Sequence, residues 1–183
     1  MPECALNLSK STLELCPLVA PNGVTHTTVL PMPTILIKVP KGAFPGDARA
    51  NLVRHILDAA TAAEQMPADP RKLFLSWVVI DETEAGMWTC GGIDMASQLL
   101  TCFAMVNVPA GVLDERSRAL YVKLMHDAFK QAQPADDKRQ VVSSVILHDV
   151  ADGTWGGNGA IWTLPALAKA AGFAHLQHLV DAA

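Results

Sequence analysis

The residue with the least ordinary chemical option in this 183-residue chain is Pro33. Inside a chain a proline nitrogen is a tertiary amide, with no N–H and no basic lone pair. At the start of a chain it is a secondary amine, and an α-amino group takes up a proton near ~7.7–8.0. Burial in apolar surroundings disfavours the charged form and lowers that value. Pro33 follows Met32 and opens the apolar run Thr34-Ile35-Leu36-Ile37-Lys38-Val39, which ends at Pro40. A small second residue permits removal of an initiator methionine, so Met32-Pro33 reads as an alternative start. Met1-Pro2 offers the same chemistry with no strand behind it. The plain alternative is a strand-edge proline behind a loosely packed arm. The residues alone leave both readings open.

Other side chains could complete such a site. A carboxylate or enolate needs a cation beside it. Lys41 stands just after the first strand, and Arg116 and Arg118 stand near the start of the second helix. Each is more often a solvated surface charge. Lys38, within the strand, is expected to pair with Asp81 or Glu82. His148 ends a strand and is a spare candidate. His175 and His178 are three apart, but a metal site needs further ligands. No metal or cofactor is expected, and a metal-dependent hydrolase built on His148 and the tail histidines is the weakest reading. Gly91-Gly92 and Gly156-Gly157 lack the strand–loop–helix setting of a phosphate cradle and read as turns.

These residues must be positioned by elements, and the chain repeats them. Val39-Pro40-Lys41-Gly42 returns as Val108-Pro109-Ala110-Gly111, and Pro67-Ala68-Asp69 returns as Pro134-Ala135-Asp136. Trp88 and Trp155 each stand near a Gly-Gly pair. Each repeat begins with a strand, Thr34–Val39 or Phe103–Val108. A helix follows, capped by Asp47 or Asp114. Ala48, Leu52, Val53, Ile56, Leu57 and Ala60 share one face of the first. Leu120, Tyr121, Leu124, Met125, Ala128 and Phe129 share one face of the second, while Arg54 and Lys123 face water. A second strand, Phe74–Ile80 or 141–147, must run parallel to the first, because a helix crosses between them. A short hairpin closes each unit. The expected fold is α/β (α+β): two tandem β-α-β units forming one four-stranded sheet, with both helices on one face. The expected limits are an extension over 1–32, repeats over 33–101 and 102–163, and a helical tail over 164–183. In that tail Pro165 suits a first turn and Gly172 a C-cap.

Composition sets bounds on partners. Apolar residues make up 50% of the chain and charged residues 17%, below the usual value of about 25%. Both sides of the first strand are apolar, so a second cover is needed and subunits are expected to supply it. A formal charge of −4 and the absence of a basic run argue against nucleic acid. No apolar run approaches the ~18 residues of a membrane span. Cys4, Cys16, Cys90 and Cys102 show no metal or redox spacing, which points to reduced thiols in a cytoplasmic protein.

A Met-Pro before a strand, a β-α-β unit and the turn Met87-Trp88-Thr89-Cys90-Gly91-Gly92 together resemble the tautomerase superfamily over residues 33 to about 163. The turn is similar to that of 4-oxalocrotonate tautomerase. The doubled unit is similar to the fused members, such as the cis-3-chloroacrylic acid dehalogenases and malonate semialdehyde decarboxylases. The resemblance implies a homotrimer, and an amino-terminal proline acting as general base or acid on a small keto or enol acid-like substrate. It implies Pro33 as the catalytic proline and Trp88 as the pocket aromatic, and leaves Lys41 or Arg116, chosen above on charge alone, as the candidate substrate cation. Dehalogenase, hydratase or decarboxylase chemistry is a variant of the same expectation. Cys102 stands where the second repeat would carry its proline. Ala43 and Trp77 stand where the pattern has arginines, which weakens the dicarboxylate expectation. The alternative is a catalytically silent oligomer or small-ligand binder with Pro33 internal.

Overall fold

The computed structural model describes residues 33–181. The expected extension over 1–32, with Met32, Cys4 and Cys16, lies outside the described residues.

Strand β1 (Thr34–Pro40) leads into helix α1 (Asp47–Glu64) and the short helix α2 (Pro70–Leu73). Strand β2 (Trp77–Thr83) and a small hairpin, β3 (Thr89–Cys90) with β4 (Ile93–Asp94), close the first unit. The second unit is β5 (Leu99–Pro109), α3 (Glu115–Ala132), β6 (Gln140–Val150) and the hairpin of β7 (Trp155–Gly157) with β8 (Ala160–Trp162). The tail folds as α4 (Leu164–Ala171), a 3-10 turn (Ala174–Leu176) and α5 (Gln177–Asp181).

The main sheet has the order β2-β1-β5-β6. Within each unit the strands are parallel, and the units join through antiparallel β1 and β5. One side of the sheet is the core: Ile35, Ile37 and Val39 of β1 and Leu100, Cys102, Ala104, Val106 and Val108 of β5 are all buried. Leu52, Ile56 and Ala60 from α1, and Tyr121, Met125, Ala128 and Phe129 from α3, cover that side. Two 18-residue helices stacked on one sheet face satisfy its period-2 apolar pattern with their period-3.6 stripes.

Four local expectations are corrected. The second strand of the first unit does not span Phe74–Ile80. It starts at Trp77, because Asp69 caps a short helix with Pro70 in its first turn and Phe74 ends that helix. Asp47 does not cap α1: the cap is Gly46, at φ 52°, which places Asp47 inside the first turn. Leu120 lies 41% exposed, outside the buried stripe of α3. Gly156-Gly157 is strand, and the turn there is Asn158-Gly159, at φ 50° and 80°. Gly91-Gly92, at φ 60° and 82°, is the matching turn.

Asp114 does cap α3. Its carboxylate accepts from Ser117 N at 2.7 Å, while Ser117 Oγ accepts from Asp114 N at 2.8 Å. The backbone hydrogen bond from Ser117 holds the Asp114 carboxyl below the usual range. In the tail, Pro165 sits in the first turn of α4 and Gly172 takes the left-handed C-cap. Leu176 is buried, with Leu179 and Val180 packed against the core.

Candidate functional site

Strand direction decides what meets at each end of the sheet. β1 begins where β5 ends, since Thr34 pairs with Asn107. The start of β1 therefore shares its end of the sheet with the start of β2 and the ends of β5 and β6. Pro33 is buried there, and its carbonyl accepts from Trp77 N at 2.9 Å. Register carries the open side of the sheet across from Trp77 through Thr34 and Asn107 to His148. Asn107 Nδ2 donates to Thr34 O at 3.2 Å, and His148 Nδ1 lies 2.9 Å from Asn107 Oδ1. Arg118, on α3, holds Asp149 through two bonds of 2.7 and 2.8 Å. Arg116 lies exposed in the first turn of α3, at this same end.

The tail also closes this end. Ala174 N donates to Gln65 O at 3.1 Å, and the Lys72 ammonium donates to Ala170 O. His175 Nε2 lies 2.8 Å from Val112 O. These ties reach from the chain before β2 to the loop after β5, on either side of the start of β1.

Lys41 and Trp88 sit at the opposite end, where β1 stops and β5 starts. They line a cleft of about 290 Å³ with Glu84, Asp94, Thr101 and Arg139. Its charges are already partnered. Lys41 pairs with Glu84, and that hydrogen bond raises the Lys41 ammonium above its ordinary value. Arg139 bonds Asp137 and also donates to Ala96 O at 3.1 Å, tying the start of β5 to the chain before β6. Cys102, the repeat's counterpart of Pro33, is buried, and burial pushes its thiol up to about 12, so it offers no thiolate at neutral pH.

Within one chain the structure therefore separates Pro33 from Trp88 and Lys41. The hairpin at the proline end is that of the second repeat, carrying Trp155, which is buried. Lys38 pairs with Asp81, as expected. Sequence reasoning missed Asn107 altogether, and kept His148 only as a spare. The sheet register that aligns them with Thr34 is not visible in one strand's sequence.

Beneath this end, Glu64 closes α1 fully buried, and Tyr121 Oη donates to it at 2.9 Å. Burial raises the Glu64 carboxyl to about 8, and burial also holds the Tyr121 phenol well above its ordinary value. Among the described residues no group of three or more His, Cys, Asp or Glu could hold a metal ion. No helix among them is long and apolar enough to cross a membrane.

No family model and no curated protein matches the chain. Solved structures do. A wild-type fused 4-OT symmetric trimer is 19% identical, with a TM-score of 0.57, covering 74% of this chain and 98% of that one. A wild-type fused 4-OT asymmetric trimer is 18% identical, with a TM-score of 0.56, covering 70% and 95%. Pt0534 inactivated by 2-oxo-3-pentynoate is 18% identical, with a TM-score of 0.57, covering 70% and 95%. At these identities the likeness is one of fold: this chain has the doubled β-α-β fold of the fused 4-OT structures.

Proposed function

We propose that this chain is a tautomerase-like isomerase whose working form begins at Pro33, with the freed ring nitrogen as the general base. One observation carries the reading. Pro33 is buried at the start of the first strand of a fused 4-OT fold, and sheet pairing begins on its own carbonyl. A secondary amine placed there can take the proton of an enol or of a carbon next to a carbonyl and return it elsewhere. The substrate class is a small keto or enol acid. Its carboxylate is met at the proline end by the α3 arginines, Arg116 first because Arg118 is engaged with Asp149. Lys41 and Trp88 serve Pro33 only if a neighbouring subunit brings them.

The assembly proposed is a homotrimer of this chain. The open side of the sheet carries a row of Val79, Leu36, Met105 and Ile146 in register, and Val79 is 48% exposed there. A row of that composition needs a cover, and the fused 4-OT trimers have this fold.

The test uses two forms, one beginning at Pro33 and one keeping residues 1–32, each given a phenylenolpyruvate-like enol and 2-oxo-3-pentynoate. Addition of the ring N–H across the alkyne of 2-oxo-3-pentynoate forms one N–C bond and moves the proton to the neighbouring carbon. The expected result is ketonisation, and a mass gain of one whole reagent on Pro33, in the shorter form alone. Equal activity in the longer form, or in a Pro33→Ala variant, overturns Pro33 as the base, and no activity in either form overturns the reading in favour of a silent fold.

A further inference from the structure

Among the described residues three buried side-chain atoms lack a hydrogen-bond partner: Ser76 Oγ, Glu64 Oε2 and His175 Nδ1. Each belongs to a segment that reaches the proline end of the sheet: the approach to β2, the last residue of α1, and the tail tied to Val112. A buried polar atom left unpaired costs about 1–3 kcal/mol, so its position needs a reason. Ser76 has the most specific one. Thr34 pairs with Trp77, and Trp77 N donates to Pro33 O. Carried one residue back, the same parallel register sets Ser76 opposite Pro33. In the 183-residue chain the Pro33 nitrogen is an amide to Met32 and has no hydrogen to give. A Pro33 that begins the chain has one N–H when neutral and two when protonated.

We propose that Ser76 is the positioning residue for the Pro33 amine: its hydroxyl accepts a ring N–H, fixing the lone pair's direction, and it holds the ammonium more strongly than the neutral amine. The proposal rests on the proline-base reading and adds to it the group that sets the base's strength. A hydrogen bond to an ionised donor is the stronger one, so Ser76 favours the protonated form and opposes the effect of burial. The other ionisable groups at this end are Glu64 and Tyr121 between the helices, Lys72 on α2, Asp114, Glu115, Arg116 and Arg118 at the start of α3, His148 and Asp149 at the end of β6, and His175 in the tail. None of them changes when Ser76 is replaced.

The experiment uses the form beginning at Pro33, which contains every described strand and helix. The Pro33 ring is labelled with carbon-13 and its pKa is read by NMR titration, independently of catalysis. Ser76→Ala, Ser76→Val and Ser76→Thr are compared, the last two matched in shape and differing in the hydroxyl. The expected result is a Pro33 pKa lower by about one unit in the alanine and valine variants, with threonine near the parent. The acid limb of kcat/KM moves by the same amount and in the same direction. A threonine variant that titrates with the valine variant, or an alanine variant that titrates with the parent, overturns the proposal. An active parent with no such shift removes Ser76's role and leaves the proline base. An inactive parent whose Pro33 still shifts keeps Ser76's role and removes the proposed activity.

Discussion

Glu64 shows how one buried carboxyl shapes the molecule's response to pH. A carboxyl in an unfolded chain loses its proton near ~4.3, whereas burial holds the Glu64 proton to about 8. Between those values the folded chain keeps a proton that the unfolded chain has released. The unfolded state then binds fewer protons, so stability falls as pH rises through that window and levels off above it. Glu64→Gln keeps an oxygen for the Tyr121 hydroxyl and cannot ionise. Thermal melts should therefore show the variant level with the parent near pH 5 and more stable by a few kcal/mol near pH 8, roughly 5–10 °C for a domain of this size. A constant offset across that range would place the carboxyl's proton elsewhere. Tyr121→Phe works in the other direction. It removes the described partner of the Glu64 carboxyl, and a loss of about 1–3 kcal/mol in urea denaturation is expected.

At the scale of elements, the two long helices make a natural comparison. They have equal lengths and similar apolar stripes but different starts. Asp114 bonds the first turn of α3 reciprocally with Ser117, whereas Asp47 lies one residue inside α1 behind Gly46. Asp114→Ala should then cost about 1 kcal/mol. Asp47→Ala should cost only the favourable charge near a helix start, a few tenths of that. Equal losses in denaturant titrations would mean that the side-chain cap adds nothing. The sequence did not separate the two, because both aspartates precede an apolar stripe. The difference is a backbone choice at Gly46. The β-α-β units themselves were legible, since period 2 and period 3.6 are written into each segment and the repeat wrote them twice. The start of β2 is hidden because Phe74 and Leu75 look like strand, while the Asp69-Pro70 helix start just before them delays the strand to Trp77. Pro33 stood out because a Met-Pro precedes a strand. Its distance from Trp88 was hidden, because the antiparallel joining of β1 to β5 decides which hairpin reaches which strand start, and no single segment encodes that joining. Ser76 was invisible for a related reason: an unpaired hydroxyl is a property of the packed state.

For the whole molecule, the open side of the sheet decides whether one chain suffices. Its rows are not uniform. The Val79, Leu36, Met105, Ile146 row is apolar throughout, while its two neighbours mix aromatic with polar residues: Asp81, Lys38, Phe103 and Ser144 on one side, Trp77, Thr34, Asn107 and His148 on the other. An apolar stripe between mixed rows fits an interface core with a more polar rim. A glutamate within such a stripe, once covered, would be buried without a partner, at a cost of several kcal/mol per ion, whereas in a lone chain it would simply be solvated. Ile146 is 45% exposed in one chain, so Ile146→Glu should leave the fold's circular dichroism intact while sedimentation shifts from trimer to monomer. Ser144→Glu, one row away, should weaken the assembly less, because a rim position stays wet. If the parent sediments as a monomer, the stripe is not covered by this chain. If the parent is a trimer that Ile146→Glu leaves whole, the copies meet on another face. Loss of ketonisation together with the trimer would further mean that the proline site is completed across the interface, which is the one route by which Lys41 and Trp88 of a second chain could reach Pro33.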